Sequence, residues 1–407
     1  MTVELNQTPV DATSATLLLG APTGRAGPPG LINLPSVAAS VVSTLGLCVN
    51  PFMEISQENG TTLLTLASGT PKYGVDQMVG SFTGSMVIKS QQVANPFSAT
   101  ATFKRFLSSQ QLSVTTSSAL SAGHFVNLFQ PIEGNMFKGM GWGGSDAAAI
   151  DVVAVVMASV TGTYSLYVQN AAAARSYVVP VSLTANTPAV VFATIPGDTS
   201  GTWPATTSHA VSIGFNAGAG STFVAPANSA WQAGNYYAVS GNTNLSATLS
   251  ATFTIGYLNA FPSGFLNYAS ASQVNLSKLA SMRQPYDIDL NRCQRYWQAS
   301  YAYGVAPGTV TQTGAEIVLM YNAYSILASP AIRYKNSIRP GVSVSIYNTQ
   351  NGTSGQFSKH DPGDTFVSNH VGVTYAVSDR SYFFSLNANG TPNGYAHWQW
   401  VANSRIV

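Results

Sequence analysis

YDIDLNRCQRYWQASY, residues 286–301, divides this chain into two unequal β-rich parts. Four of its sixteen residues are charged (Asp287, Asp289, Arg292, Arg295), a quarter of the stretch against 8% for the whole sequence. Leu290, Cys293 and Trp297 recur at i, i+3 and i+7, Asp287 can cap the start, and Pro285 precedes it. This pattern predicts a short amphipathic helix. It reads as the junction between a large N-terminal β-domain and a smaller C-terminal one, or as a lid on one sheet.

To its N-terminal side the pattern is one of strands and turns. Tyr164, Leu166 and Val168 alternate with Ser165, Tyr167 and Gln169. Leu249, Ala251, Phe253, Ile255 and Tyr257 alternate with Ser250, Thr252, Thr254 and Gly256. A period of two is that of a half-buried strand. DVVAVV, residues 151–156, is continuously apolar, as in a central sandwich strand. Turn signals fall between these runs at Gly143-Gly144, Pro196-Gly197-Asp198, residues 217–220 and Gly234-Asn235. Residues 50–285 therefore read as a two-sheet jelly roll.

To the C-terminal side, Val342, Val344 and Ile346 alternate with Ser343, Ser345 and Tyr347. Val371, Val373, Tyr375 and Val377 follow the same rule, as do Ala396, Trp398 and Trp400 against His397 and Gln399. Trp398 and Trp400 share a face and read as core; His397 and Gln399 face the other way, toward a partner. Asn351-Gly352 and Asn389-Gly390 are hairpin dipeptides. The expectation is all-β: a jelly-roll β-sandwich, a linking helix over 286–301 and a second small β-sandwich-like domain over 302–407.

Residues 1–49 differ from the rest. A Thr/Ala/Ser-rich start leads into GAPTGRAGPPG (residues 20–30), where Gly24, Gly27 and Gly30 keep a three-residue period beside Pro28 and Pro29. Two triplets are too few for a collagen helix and suit a stiff polyproline-like linker. Val37, Val41, Val42 and Leu45 then sit at helical spacing. The segment reads either as an anchor docking on a partner or as an arm packed on its own domain.

The composition narrows the function. The chain has 407 residues, 45% hydrophobic, with 36 Gly, 19 Tyr, 18 Phe and a net charge of +2. Ordinary domains are about 25% charged, so this surface is built of hydroxyls, amides and small side chains. That suits extended sheets and subunit interfaces better than a metabolic enzyme. No Lys/Arg cluster marks a nucleic-acid track or a polybasic membrane patch. No run reaches the ~18 apolar residues of a membrane span. The N-terminus lacks the basic-then-apolar order of a signal peptide, which predicts synthesis in a cytoplasm. Cys48 and Cys293 are too far apart for a disulfide framework or a metal motif and read as buried thiols.

Catalytic patterns are sparse. A glycan-cleaving enzyme needs two carboxylates across the scissile bond, yet the fifteen acids group locally only at Asp287/Asp289 and in HDPGD, residues 360–364. The first-turn position of Asp289 has a structural explanation in the helix dipole, and HDPGD reads as a turn. The five histidines (124, 209, 360, 370, 397) form no i, i+4 pair. No G-x-S-x-G elbow or phosphate-cradling loop occurs. Aromatics give the stronger signal. Trp142, Trp203, Trp231, Tyr236 and Tyr237 stand beside Gly, Pro or Asn at predicted loops and strand ends. Sugar rings dock on such flat platforms while amides and hydroxyls orient their OH groups. For any single one of these rings, core packing or a subunit interface is the default reading.

Several ordered segments resemble a family of tailed-phage virion proteins, found also on phage-like gene transfer particles, that carry a jelly-roll, carbohydrate-binding-module-like domain. They are ISQENG (residues 55–60), QPIEGNMFKGMGWGG (130–144), VTGTYSLYVQNAAAARSYV (160–178), IPGDTSGTWPAT (195–206), AWQAGNYYAVSGNTNL (230–245) and CQRYWQASY (293–301). Where that family often has Asp-Arg-Trp or Asp-Gly-Trp after the first strand, this chain has Val75-Asp76-Gln77-Met78, without the tryptophan. The resemblance implies a fibre or spike subunit on the virion and binding of a bacterial surface glycan. Low charge and many small polar residues predict a homo-oligomer, most simply a trimer, whose repeated weak sites act by avidity. Residues 1–49 would tether it to other virion proteins. The expectation is a non-enzyme without cofactor, a structural calcium through acids such as Glu54 being the one exception considered. Two further readings stand beside it: a purely architectural decoration or adaptor protein, and a depolymerase using acids such as Glu133, Asp146 or Asp364.

Overall fold

The computed structural model describes residues 46–98, 101–320, 326–360, 366–387 and 394–407. The N-terminal segment up to residue 45, expected to be an anchor or an arm, lies outside them, as do most of HDPGD and Asn389-Gly390.

Two antiparallel sheets face each other. The six-stranded sheet runs Leu64–Thr65, Val87–Ala94, Ser108–Thr116, Thr252–Pro262, Ile150–Ala158, Ala189–Ile195. The seven-stranded sheet runs Trp231–Ala233, Arg175–Leu183, Gly162–Asn170, His209–Ala219, Phe125–Glu133, Met78–Thr83, Lys72–Val75. The expected alternation fills the space between them. Tyr164, Leu166 and Val168 from one sheet meet Val152, Ala154 and Val156 from the other, with Leu128, Phe215 and Phe253 completing the core. The sandwich expected from period-two patterning is present.

The apolar run DVVAVV follows from burial on both faces. Val153 and Val155 point away from the sandwich interior into a second core made by Phe52, Phe97, Phe106, Tyr257, Phe261 and Leu279. One expectation fails here. Tyr257 does not share a face with Phe253 and Ile255, because the pairing with Ile150–Ala158 shifts register between Ile255 and Tyr257. This bulge turns Tyr257 into the second core and sends Leu258 and Ala260 back into the first. Gly256 sits at the bulge, where a Cβ would meet the Phe97 ring at 2.2 Å. Leu249 precedes the strand and is exposed. The turn expected over residues 217–220 is mostly strand, since His209–Ala219 continues through an irregularity between Asn216 and Gly218.

The linking helix is shorter than the sequence pattern suggests. It spans Tyr286–Gln294 with Pro285 at its N-cap, and Asp287 makes no cap bond. A preceding helix, Leu276–Ser281, carries the side-chain cap instead: Asn275 accepts from the Lys278 N–H at 2.9 Å. Beyond Gln294 the edge of the C-terminal sheet captures the chain. Trp297–Ala299 pairs with the end of Gly394–Asn403, so this domain begins inside the stretch expected to be helical. The long strand Gly394–Asn403 also pairs with Glu316–Met320, Ser343–Asn348 and Gln356–His360. Its Trp398 and Trp400 lie in a core with Tyr334, Ile346, Phe357 and Tyr382, as their shared face suggested. Gln399, expected to face a partner, is buried and donates to the Thr311 and Thr313 carbonyls.

The two domains meet in a joint rich in ion pairs. Glu133, fully buried, accepts two bonds from Arg295 (3.0 and 2.6 Å) and one from the Tyr296 hydroxyl (2.9 Å). Arg405 is held between the Tyr73 ring at 4.5 Å and the Trp297 ring at 5.2 Å, pairs with Glu58, and lies 3.6 Å from Asp76. Arg283 pairs with Glu54 at 2.9 Å. Residues 46–49 belong to the same assembly. Leu47 and Val49 donate to the Ala260 carbonyl and the Gln130 side chain, while Arg292 donates to the Cys48 carbonyl at 3.0 Å. Cys48 and Cys293 are free buried thiols, and burial pushes Cys48 up to about 12.

Burial raises the Asp76 carboxyl above its ordinary range, against the pull of Arg405 and Gln57, and burial likewise raises Glu54 and Asp289. A folded-state value above the unfolded one means the native protein holds the proton more tightly. Their contribution to stability is complete below the ordinary carboxylate range near ~4 and is lost as pH rises through the raised values. Urea unfolding at stepped pH should therefore show stability falling as pH rises out of that range, with a shallower slope in Asp76→Asn. An unchanged slope in that variant would refute the assignment.

Candidate functional site

The outward face of the seven-stranded sheet carries a groove of about 240 Å³. Alternation puts Val126, Leu128 and Ile132 into the core and Phe125, Asn127 and Phe129 on the opposite face. Neighbouring strands add Ser81 and Thr83, Ser212, and Tyr167 and Gln169, while Tyr237 comes from the segment that folds over one end. Gly214 pairs with Phe129, and a Cβ there would stand 2.3 Å from the Phe129 Cβ. The missing side chain is what lets the Phe129 ring lie across the strand.

Rings form one wall. Tyr237 lies 5.1 Å from Tyr167, 5.2 Å from Phe125 and 5.2 Å from Phe223, centroid to centroid. Tyr167 is buried beneath, whereas Phe125 and Tyr237 are half-buried and present ring surface. Amides form the floor. Asn127 accepts from Asn216 (2.7 Å), which accepts from Asn242 (3.0 Å), which accepts from Ser165 (2.6 Å). Gln169 donates to Asn235 at 2.8 Å and Ser176 at 3.1 Å. These bonds fix both side chains yet use neither the Asn127 amide nitrogen nor the Gln169 carbonyl, leaving a donor and an acceptor for a ligand.

Among the described residues no carboxylate, ammonium or guanidinium lines the groove. Its titratable groups are silent near neutrality, since burial raises Tyr167 and Tyr237; behind the lining, His209 bonds Ser212 at 3.1 Å and burial lowers it to about 4. Such a surface suits a ligand with apolar faces and many neutral hydroxyls.

The three tryptophans named from the sequence converge at another place. Trp142 lies edge-to-face with Trp203 at 4.8 Å and with Trp231 at 5.1 Å, and Trp203 meets Trp231 at 5.5 Å. Their indole N–H groups donate to the Ala148, Ser200 and Pro196 carbonyls. Trp142 is buried; Trp203 and Trp231 pack on the core at half exposure. Beside them Arg175 grips Asp198 with two bonds of 2.7 Å, and the Asp198 carbonyl accepts from Gly143 at 2.7 Å. This cluster ties the loops carrying Trp142 and Trp203 to the starts of the strands Arg175–Leu183 and Trp231–Ala233. Tyr236 folds over Gly234, whose missing Cβ would stand 2.6 Å from its ring. Of the five residues, Tyr237 alone lines the groove.

Phe125, Asn127, Phe129, Tyr167 and Gln169 were not singled out from the sequence. Their signal lay in the outward positions of FVNLFQ and YSLYVQN, where a solvated strand would carry charge or small polar groups rather than rings and amides. Glu54, considered for calcium, is committed to Arg283. Among the described residues no group of three or more His, Cys, Asp or Glu side chains could hold a metal. No helix among them is long and apolar enough to cross a membrane.

No family model matches the chain, and no curated protein matches it in sequence. Solved structures with distant likeness include the enzymatically active domain of tailspike protein 4 of bacteriophage CBA120, at 13% identity and TM-score 0.27, covering 46% of this chain and 19% of that one. A family 11 carbohydrate-binding module from Clostridium thermocellum, solved with a mixed-linked tetrasaccharide, aligns at 10% identity and TM-score 0.25, covering 49% and 95%. The tandem CBM22 domains of Paenibacillus barcinonensis Xyn10C align at 9% identity and TM-score 0.22, covering 86% and 92%. These likenesses are too distant to bear on ligand or role.

The placements separate stability from recognition. Trp142→Ala should cost about 3–5 kcal/mol in urea unfolding, as for large aromatic truncations in a core, whereas Phe125→Ala on the open face should cost about 1 kcal/mol. Equal losses would contradict the distinction.

Proposed function

We propose that the protein is a virion surface subunit, a fibre or spike component, that binds an uncharged bacterial surface polysaccharide without cleaving it. The observation that carries this reading is the charge-free groove walled by Phe125 and Tyr237 and floored by Asn127 and Gln169. Sugar faces stack on the rings, and the fixed amides select hydroxyl positions.

A non-catalytic role is supported by where the acids stand. Cleavage requires two carboxylates flanking the bond, and among the described residues none lines the groove. Glu133 is buried beneath Arg295 and Tyr296. Asp146 lies exposed just after the Gly141–Gly144 turn, away from the groove lining. The virion assignment is supported by the motif words quoted above and by the low charge, which suits close packing of copies about a symmetry axis. A trimer gives three sites and hence avidity from modest individual affinities.

Binding to an array of bacterial surface polysaccharides tests this reading. Saturable binding without released reducing ends is expected, and Phe125→Ala and Tyr237→Ala should each weaken it about tenfold, or ~1.4 kcal/mol. Affinity for a fragment confined to the groove should not change between low and high salt, since none of its described lining residues carries a charge to be screened. No binding by folded protein across a broad array would favour the architectural role instead, and released reducing ends would favour a depolymerase. In a native mass measurement the trimer is expected; a stable monomer would contradict the oligomeric part of the proposal.

A further inference from the structure

Pro71 lines two concavities at once: the groove just described and a larger cleft of about 490 Å³ between the sandwich and the C-terminal domain. The strand order explains their adjacency. The groove crosses Gly162–Asn170, His209–Ala219, Phe125–Glu133 and Met78–Thr83, and the cleft begins at the next strand, Lys72–Val75. Tyr73 of that edge strand lines the cleft and belongs to one hydrophobic cluster with Val79, Phe129 and Tyr167, the last two of which line the groove. Four strand spacings separate Gly162–Asn170 from Lys72–Val75, about 19 Å at ~4.8 Å each.

The far wall of the cleft comes from the C-terminal domain and follows from its alternation. Val344 and Ile346 face that domain's core, so Ser343, Ser345 and Tyr347 face the sandwich. In register with them on the neighbouring strand stand Asn403, opposite Ser343, and Val401, opposite Ser345. The wall thus repeats the chemistry of the groove, with a ring, hydroxyls and an amide. At its base Glu58 and Arg405 neutralise each other, Arg405 is fixed between Tyr73 and Trp297, and the exposed Lys72 adds an ammonium at the sandwich edge.

We infer that the groove and the interdomain cleft form one continuous path for an extended uncharged polysaccharide, which runs from Tyr237 over Pro71 onto Ser343, Ser345 and Tyr347 of the C-terminal domain. This rests on the glycan-binding reading and adds two things to it. The ligand is an internal stretch of polymer rather than a single terminal sugar, and the second domain is half of the binding surface. The joint then has a recognition role, since it sets the width of the cleft.

The test uses the neutral polysaccharide that binds in the array, together with its partial-hydrolysis fragments graded by length. Affinity should keep rising with length past the shortest fragment that binds. Ser345→Trp, which fills the cleft from a half-exposed position, should weaken the longest fragments about tenfold and leave the shortest unchanged. Phe125→Ala should weaken both. Ser343→Trp blocks the same wall from an exposed position and supplies a second variant should Ser345→Trp melt early. Affinity that stops rising once the groove is filled would overturn the inference, as would cleft-blocking variants that bind every length alike or lose every length equally. In each of those cases binding through the groove would survive. Failure of the glycan-binding reading itself would appear earlier, as silence of the folded protein on the array.

Discussion

The buried contact of Glu133 with Arg295 and Tyr296 is the constraint on which the rest of the architecture depends. A carboxylate with no solvent exposure must be met by charge and hydrogen bonds or it costs several kcal/mol; here two guanidinium bonds and one hydroxyl meet it. The partners come from the end of the linking helix, so the helix cannot leave the sandwich without stranding that charge. Arg405, stacked between Tyr73 and Trp297 and paired with Glu58, secures the other side. In a chain only 8% charged, among the described residues the ion pairs gather at this joint, with Arg175–Asp198 beside the tryptophans as the exception.

Charge concentrated at the joint leaves the outer sheet face free of it. The inner face of the seven-stranded sheet is taken by the core, and period-two alternation then presents Phe125, Asn127, Tyr167 and Gln169 outward as a set. A rigid sheet holds these side chains in fixed relation; the Asn127–Asn216–Asn242–Ser165 chain of bonds fixes the Asn127 amide, and bonds to Asn235 and Ser176 fix that of Gln169. Little side-chain order remains to be lost when a ligand arrives.

Much of the fold was legible because strand alternation and two-sided burial leave direct marks, as in residues 164–169 and DVVAVV. The bulge at Gly256 was not, because one inserted residue changes which face Tyr257 joins without changing local composition. The linking helix was read too long, since Trp297 fits both a helical spacing and the strand that captures it. Three of the six segments resembling phage virion proteins have a structural explanation: Gln57 and Glu58 of ISQENG, Glu133 of QPIEG, and Arg295 and Tyr296 of CQRYW all meet at the joint. They report on how two domains are held together. The tryptophans drew attention as isolated rings in loops, but which rings gather depends on pairings distant in sequence. Only Tyr237 among the named residues reached the groove, whose other members come from five separate segments.

The most direct measurement is the structure of the protein with a fragment of a bound neutral surface polysaccharide. The account requires the sugar on the outer face of the seven-stranded sheet, stacked on Tyr237 or Phe125 and hydrogen-bonded to Asn127 or Gln169. Sugar seated on Trp203 and Trp231 at the end of the sandwich, with the groove empty, would contradict it.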